Sequence, residues 1–168
     1  VDVRLEAARG FIRLSKLIGG EEASEMGRVA DGAALIARGE AILDDLRRNH
    51  SGDPGVQAAV ADLWLTRSGD ALYNDNDPAH ARDLASQVLA LLENDPQRDT
   101  ETSRRYAVAL QAIGDSYGWE DNFETARDAH LRAEAFIAGL PEAQREDAGV
   151  RNARSANLRL LAEAHHKL

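Results

Sequence analysis

Residues 110–133 read LQAIGDSYGWEDNFETARDAHLRA, and their pattern describes two helices folded back on one another across a short turn. Leu110, Ile113 and Tyr117 recur at steps of three and four, which places them on one stripe of a helix facing a core. Gly114 sits beside that stripe. A glycine inside a helix costs about 1 kcal/mol relative to alanine, so its presence predicts a close approach by the returning helix, which offers Ala126 and Ala133. The pattern has an earlier echo. Gly69 and Gly114, Asp70 and Asp115, Ala81 and Ala126, Arg82 and Arg127, Asp83 and Asp128, and Pro96 and Pro141 are identical pairs at one separation, 114 − 69 = 45 residues. The chain is therefore built on an internal repeat of helical hairpins, and Gly69, Ala81, Gly114 and Ala126 are its expected packing positions.

These residues resemble the tetratricopeptide repeat (TPR) family. Leu110, Ile113, Gly114, Tyr117, Ala126 and Ala133 match its signature in type and spacing, whereas His130 stands where the family prefers an aromatic. The earlier copy keeps Leu65, Gly69, Leu72 and Ala81 but has Ser68 and Ala85 at larger apolar positions. The period of 45 exceeds the family's usual ~34, so the resemblance is to long-helix variants of the kind appended to bacterial signalling proteins. It implies an α-α superhelix, a TPR-like solenoid.

Composition agrees with an all-α chain of 168 residues in which aromatics make up 5% and β-branched runs are missing. The formal charge of −9 argues against nucleic acid or an anionic membrane surface as partner, since an acidic chain gives neither a counter-charge. Cysteine is absent, which removes thiol catalysis and zinc-thiolate sites and suits a cytoplasmic location. No apolar run approaches the ~20 residues of a membrane span. Starting at Val1 and stopping at Leu168 within a helical pattern, the chain reads as an excised segment of a larger regulatory protein.

Taken in order, the pattern predicts seven helices, at about 3–18, 30–49, 54–73, 78–93, 97–118, 122–138 and 142–167, within a single domain, 1–168. They pair as hairpins over 1–50, 54–94 and 96–140, with a terminal helix over 141–168. The first has Leu5, Ala8, Ile12, Ser15, Phe11, Leu14 and Ile18 on a broad apolar face and ends at Gly19 and Gly20. Polar residues 21–33 read as a loop or broken helix. In the second helix Leu35, Ile42, Leu43 and Leu46 should point inward, with Ala33, Ala34 and Ala41 at close-packing positions. Asp53-Pro54, Asp77-Pro78 and Asp95-Pro96 each place a capping residue before a proline at the first helical position. Leu140-Pro141 keeps only the proline. In the terminal helix Leu158, Leu161, Ala162 and His165 overlie Leu110, Ile113, Gly114 and Tyr117.

The family's concave face, carried onto this chain, assigns a candidate peptide groove. Leu63, Thr66, Asp70, Tyr73 and Asn74 come from one hairpin, Val108, Gln111, Asp115 and Trp119 from the next, and Arg159 and Glu163 from the last helix. Asp70, Asp115 and Glu163 would align as carboxylates, favouring a partner segment with arginine or lysine unless Arg67, Arg82 and Arg127 neutralise them. Tyr73 and Trp119 are candidate anchors; Trp64 reads as core. Asn74 to Pro78 lacks the glycine and distal glutamate of a calcium loop and reads as a capped turn. His165 and His166 are adjacent and point to different faces, so they do not form a metal pair. No catalytic, cofactor-binding or metal motif is present. The expected function is a protein-protein interaction scaffold; the alternative is a ligand- or peptide-sensing regulatory domain. Apolar end faces would allow homo-oligomers.

Overall fold

The structure, a computed structural model, describes residues 1–18, 29–93 and 98–168. Among them every regular element is a helix: α1 (Asp2–Ile18), α2 (Val29–Asn49), α3 (Pro54–Tyr73), α4 (Pro78–Leu92), α5 (Thr100–Trp119), α6 (Phe123–Ala138), α7 (Glu142–Arg145) and α8 (Ala148–Lys167). The chain is all-α, with its helices packed in adjacent pairs. Gly19, Gly20, most of the expected polar loop, and Asp95-Pro96 lie outside the described residues. The chain divides into two compact units, Val1–Thr66 and Arg67–Leu168.

In the first unit α1 and α2 form a hairpin. Leu5, Ala8, Ile12 and Ser15 are buried as the periodicity predicts, and the Ser15 hydroxyl donates to the Ile12 carbonyl at 2.8 Å. Leu14 departs from that reading, being 43% exposed on the opposite side of the helix. On α2, which already begins at Val29, Leu43 and Leu46 are buried, while Leu35 and Ile42 are only half-buried. Ala33, Ala34 and Ala41 are all exposed, and the buried small residues of α2 are Gly32 and Gly39. A Cβ on Gly39 would lie 3.4 Å from the Ala8 carbonyl oxygen. Small size is thus placed on the second helix of this hairpin, where glycine outcompetes alanine for backbone approach. Asp53 caps α3 by accepting from Gly55 N at 2.8 Å and Val56 N at 3.1 Å. Trp64, expected as core, is half-buried with the Arg47 guanidinium 5.6 Å above its ring.

In the second unit the 45-residue repeat is visible in backbone geometry. Asn76 and Asp121, 45 apart, both take a left-handed conformation, with φ of 53° and 58°. Each precedes an N-cap: Asp77 accepts from His80 N and Asn122 from Thr125 N. Ala81 and Ala126 follow, 0% and 1% exposed. Identical turns therefore start the second helix of both hairpins. Their contacts differ. Gly69 meets nothing, since a Cβ there would find no atom within 4 Å. Its neighbour Ser68 is buried instead, donating to the Ala81 carbonyl at 2.9 Å, with Ala71 and Leu72 packed alongside. Gly114 is a close-contact site, but against His130 rather than Ala126.

Two further boundaries differ from expectation. Helix α5 starts at Thr100, three residues late, because Asp99 accepts from Thr102 N at 2.7 Å and serves as its cap. The terminal helix is broken. Pro141 starts α7 without a side-chain cap, and Asp147 then caps α8 by accepting from Gly149 N at 2.8 Å and Val150 N at 3.2 Å. Below the α5–α6 pair, Ala107, Ile137, Leu140 and Val150 form an apolar cluster joined by Phe136, with Arg98 laid over Tyr106 at 4.3 Å.

Candidate functional site

Three elements of the second unit converge on one face. Tyr73 closes α3, Trp119 closes α5, and Arg159 and Glu163 lie on α8. The Tyr73 and Trp119 rings meet edge to face, centroids 5.5 Å apart at 84°. Both have their polar ends tied down. The Tyr73 hydroxyl donates to Asp115 Oδ2, and Trp119 Nε1 donates to Asn76 Oδ1 at 2.6 Å. Yet the residues remain 59% and 46% exposed. Burial of the hydroxyl end, then its bond to Asp115, raises the Tyr73 pKa well above the ordinary tyrosine value, so the hydroxyl stays a donor. Arg159 and Glu163 are near enough to bias the same titration in opposite directions.

Of the expected groove residues, the structure gathers Tyr73, Asp115, Trp119, Arg159 and Glu163 here. Asn74 is exposed at the rim, donating to Asp70 Oδ1 at 3.1 Å. Val108 and Gln111 are half-buried along α5. Leu63 is not a groove residue: it is 2% exposed, a core side chain of the first unit. Thr66, also of that unit, returns its hydroxyl to the Asp62 carbonyl at 2.7 Å. The three acids are engaged, and neither Arg82 nor Arg127 is what engages them. Asp115 holds Tyr73, Asp70 holds Asn74, and Glu163 stands 3.7 Å from Arg159. Arg82 instead forks onto Glu120 and stacks on Tyr117 at 4.3 Å, and Arg127 pairs with Asp128.

The phase of α8 is displaced by one residue. Leu158, Ala162 and His165, expected inward, are exposed, while Val150, Ala153, Asn157 and Ala164 are buried. Asn157, not Leu158, is thus the counterpart of Leu110. Its amide donates to the His130 carbonyl at 3.0 Å, and its Oδ1 lies 2.9 Å from His130 Nδ1. Because Nδ2 must be the donor to that carbonyl, Oδ1 accepts and His130 carries its proton on Nδ1. Burial lowers the His130 pKa, against the opposing pull of Asn157 and Asp115. The bulk of this imidazole against α5 is what Gly114 accommodates: a Cβ would meet His130 Cε1 at 2.7 Å.

Apolar periodicity could not find a polar inward residue. A different signal could: Asp53-Pro-Gly-Val56 recurs as Asp147-Ala-Gly-Val150, with the same pair of cap bonds, and it fixes the α8 phase.

Comparisons with protein-family models, curated proteins and solved structures find no match.

The arrangement offers a rigid aromatic ledge with carboxylates and one guanidinium around it, suited to non-covalent recognition. Among the described residues no group of three or more histidines, aspartates and glutamates is placed to hold a metal ion, and no helix is long and apolar enough to cross a membrane.

Proposed function

We propose that the chain is a protein-interaction module of tetratricopeptide type, taking a segment of a partner protein across the face that carries Tyr73, Asp115, Trp119, Arg159 and Glu163. The observation that supports this reading is the exposed Tyr73–Trp119 pair, whose hydroxyl and indole N–H are both satisfied within the chain. Aromatics held this way bring apolar area to an interface with little rotamer entropy left to lose, as binding anchors require. The acids Asp70, Asp115 and Glu163 favour a segment carrying lysine or arginine next to an apolar residue. In the same reading the module belongs to a larger bacterial signalling protein, works in the cytoplasm and engages neither nucleic acid nor membrane.

Selection from a peptide display library against the chain, followed by titration of the enriched segments, tests the proposal. Trp119→Ala should weaken binding by roughly 30-fold or more, the effect of losing an anchor worth ~2 kcal/mol. Trp64→Phe, in the other unit, should leave affinity unchanged. Enrichment of no segment, or binding indifferent to Trp119, would overturn it.

A further inference from the structure

Helix α1 carries two apolar stripes. The inner one, Leu5, Ala8, Ile12 and Ser15, is consumed by the hairpin with α2. A second runs Val3, Ala7, Gly10, Leu14, Leu17, at steps of four, three, four and three. At ~100° per residue the two stripes lie on opposite sides of the helix. All five outer residues are exposed, Val3 by 85% and Leu17 by 82%. Gly10 sits at the centre of this outer stripe, inside the helix, where glycine costs about 1 kcal/mol. Among the described residues nothing requires it, because a Cβ there would meet no atom within 4 Å.

We propose that this outer stripe is a dimerisation seam on which α1 of a second copy of the chain lies antiparallel, crossing at Gly10. The alternation of four and three is the spacing by which one helix seats on another, and the pattern complements itself when one copy is reversed. With Gly10 on Gly10 of the second copy, Val3 comes beside the other Leu17, and Leu14 covers the other Ala7, large against small. Charge follows the same symmetry. Glu6 and Arg13 flank the stripe on one side, 3.8 Å apart within the helix and with side chains 59% and 72% exposed; Glu6 also holds Arg9 at 2.6 Å, and reversal adds the opposite Arg13 to the charges around each Glu6. In a parallel pair the Glu6 and Arg13 flank of one copy would face the opposite flank of the other, so this exchange of charges requires reversal. On the other flank Arg4 is held to Asp45 of α2 at 2.8 Å, leaving the seam clear. One helix pair buries less than the ~1,200 Å² of a stable interface, so the association is weak and concentration-dependent. The proposal is independent of the partner-binding face, which lies in the other unit.

Sedimentation equilibrium of the whole chain between about 10 and 500 µM should show the mean mass rising from monomer toward dimer. Leu17→Glu should hold it at monomer with helical content unchanged, since Leu17 is 82% exposed. Glu6→Arg alone should weaken pairing, and Glu6→Arg with Arg13→Glu should restore it, an outcome that unspecific apolar adhesion would not give. Orientation is read with single cysteines in a chain that has none. A mixture of Val3→Cys and Leu17→Cys should oxidise to the mixed dimer, whereas Val3→Cys alone should not crosslink. Monomer at every concentration, a mass indifferent to Leu17→Glu, or efficient Val3–Val3 crosslinking would each overturn the proposal. So would a monomeric chain whose Leu17→Glu variant loses binding to lipid vesicles, since the seam would then serve a membrane surface instead.

Discussion

A methyl group added at Gly114 would sit 2.7 Å from His130 Cε1 and 2.9 Å from both ring nitrogens, closer than such atoms approach without displacement. The imidazole cannot step aside cheaply, because Nδ1 is bound to Asn157 in a buried position. Overpacking of this kind costs ~1–3 kcal/mol, against the ~1 kcal/mol alanine gains in a helix. Gly114→Ala should therefore lower unfolding free energy by up to about 2 kcal/mol in urea titration. Gly69→Ala, with open space around it, should raise it by up to ~1 kcal/mol; equal effects at the two glycines would contradict this account. His130 makes a second prediction at the same scale. Its folded pKa is lowered from an ordinary 6.5, so as pH falls below that value the unfolded chain takes up a proton the folded chain refuses. Stability is then lost on acidification and unaffected above neutrality. Thermal melts from pH 7.5 to 5.5 should fall more steeply for the parent than for His130→Gln, which keeps a donor for Asn157 but does not titrate. Parallel curves would remove His130 from the explanation.

Helix boundaries in this chain are set by side-chain caps, and they differ in how visible they are in sequence. Asp53 and Asp77 stand before prolines and Asn122 before the apolar Phe123, so each start is readable from residue order alone. Asp99 and Asp147 have no proline after them, which is why the pattern starts α5 too early and runs α7 and α8 together as one helix. The repeat itself is legible because αL turns, caps and buried alanines recur together at 45 residues. The packing partners are not, because whether a small residue touches a helix depends on the bulk opposite it: His130 at Gly114, nothing at Gly69. Of the candidate site, the Tyr73–Trp119 pair follows from helix phase, whereas Leu63 is misplaced because the N-terminal half of α3 turns a different side to its core. Asn157 is hidden by its polarity. Asp147→Ala removes an oxygen serving two backbone N–H groups and should cost about 1 kcal/mol. Loss of helical amide shifts should be confined to the first turn of α8; if α7 and α8 instead fuse without loss, the cap is not what divides them.

Over residues 67–168 burial is unevenly distributed among helices, and that distribution predicts how the unit opens. Buried residues on α6, Ala126, Ala129, His130, Ala133 and Ile137, form one stripe, as do Val150, Ala153, Asn157 and Ala164 on α8. Helix α5 is different: Ala107, Leu110 and Gly114 face one way while Ala109 and Ser116 face another, because α4, α6 and α8 all pack against it. The outer side of α8 exposes Arg151, Asn152, Ser155 and Arg159. An outer helix can leave while most contacts of the unit survive; α5 cannot leave without breaking three pairings at once. Native-state hydrogen exchange should therefore find the slowest amides of this unit on α5 between Ala107 and Gly114. They should exchange at least ~10-fold more slowly than those of α8, a gap of ~1.4 kcal/mol in opening free energy. The short α7 and the last turn of α8 should exchange fastest. If α8 is protected as strongly as α5, the unit opens all at once and α5 has no privileged place in it.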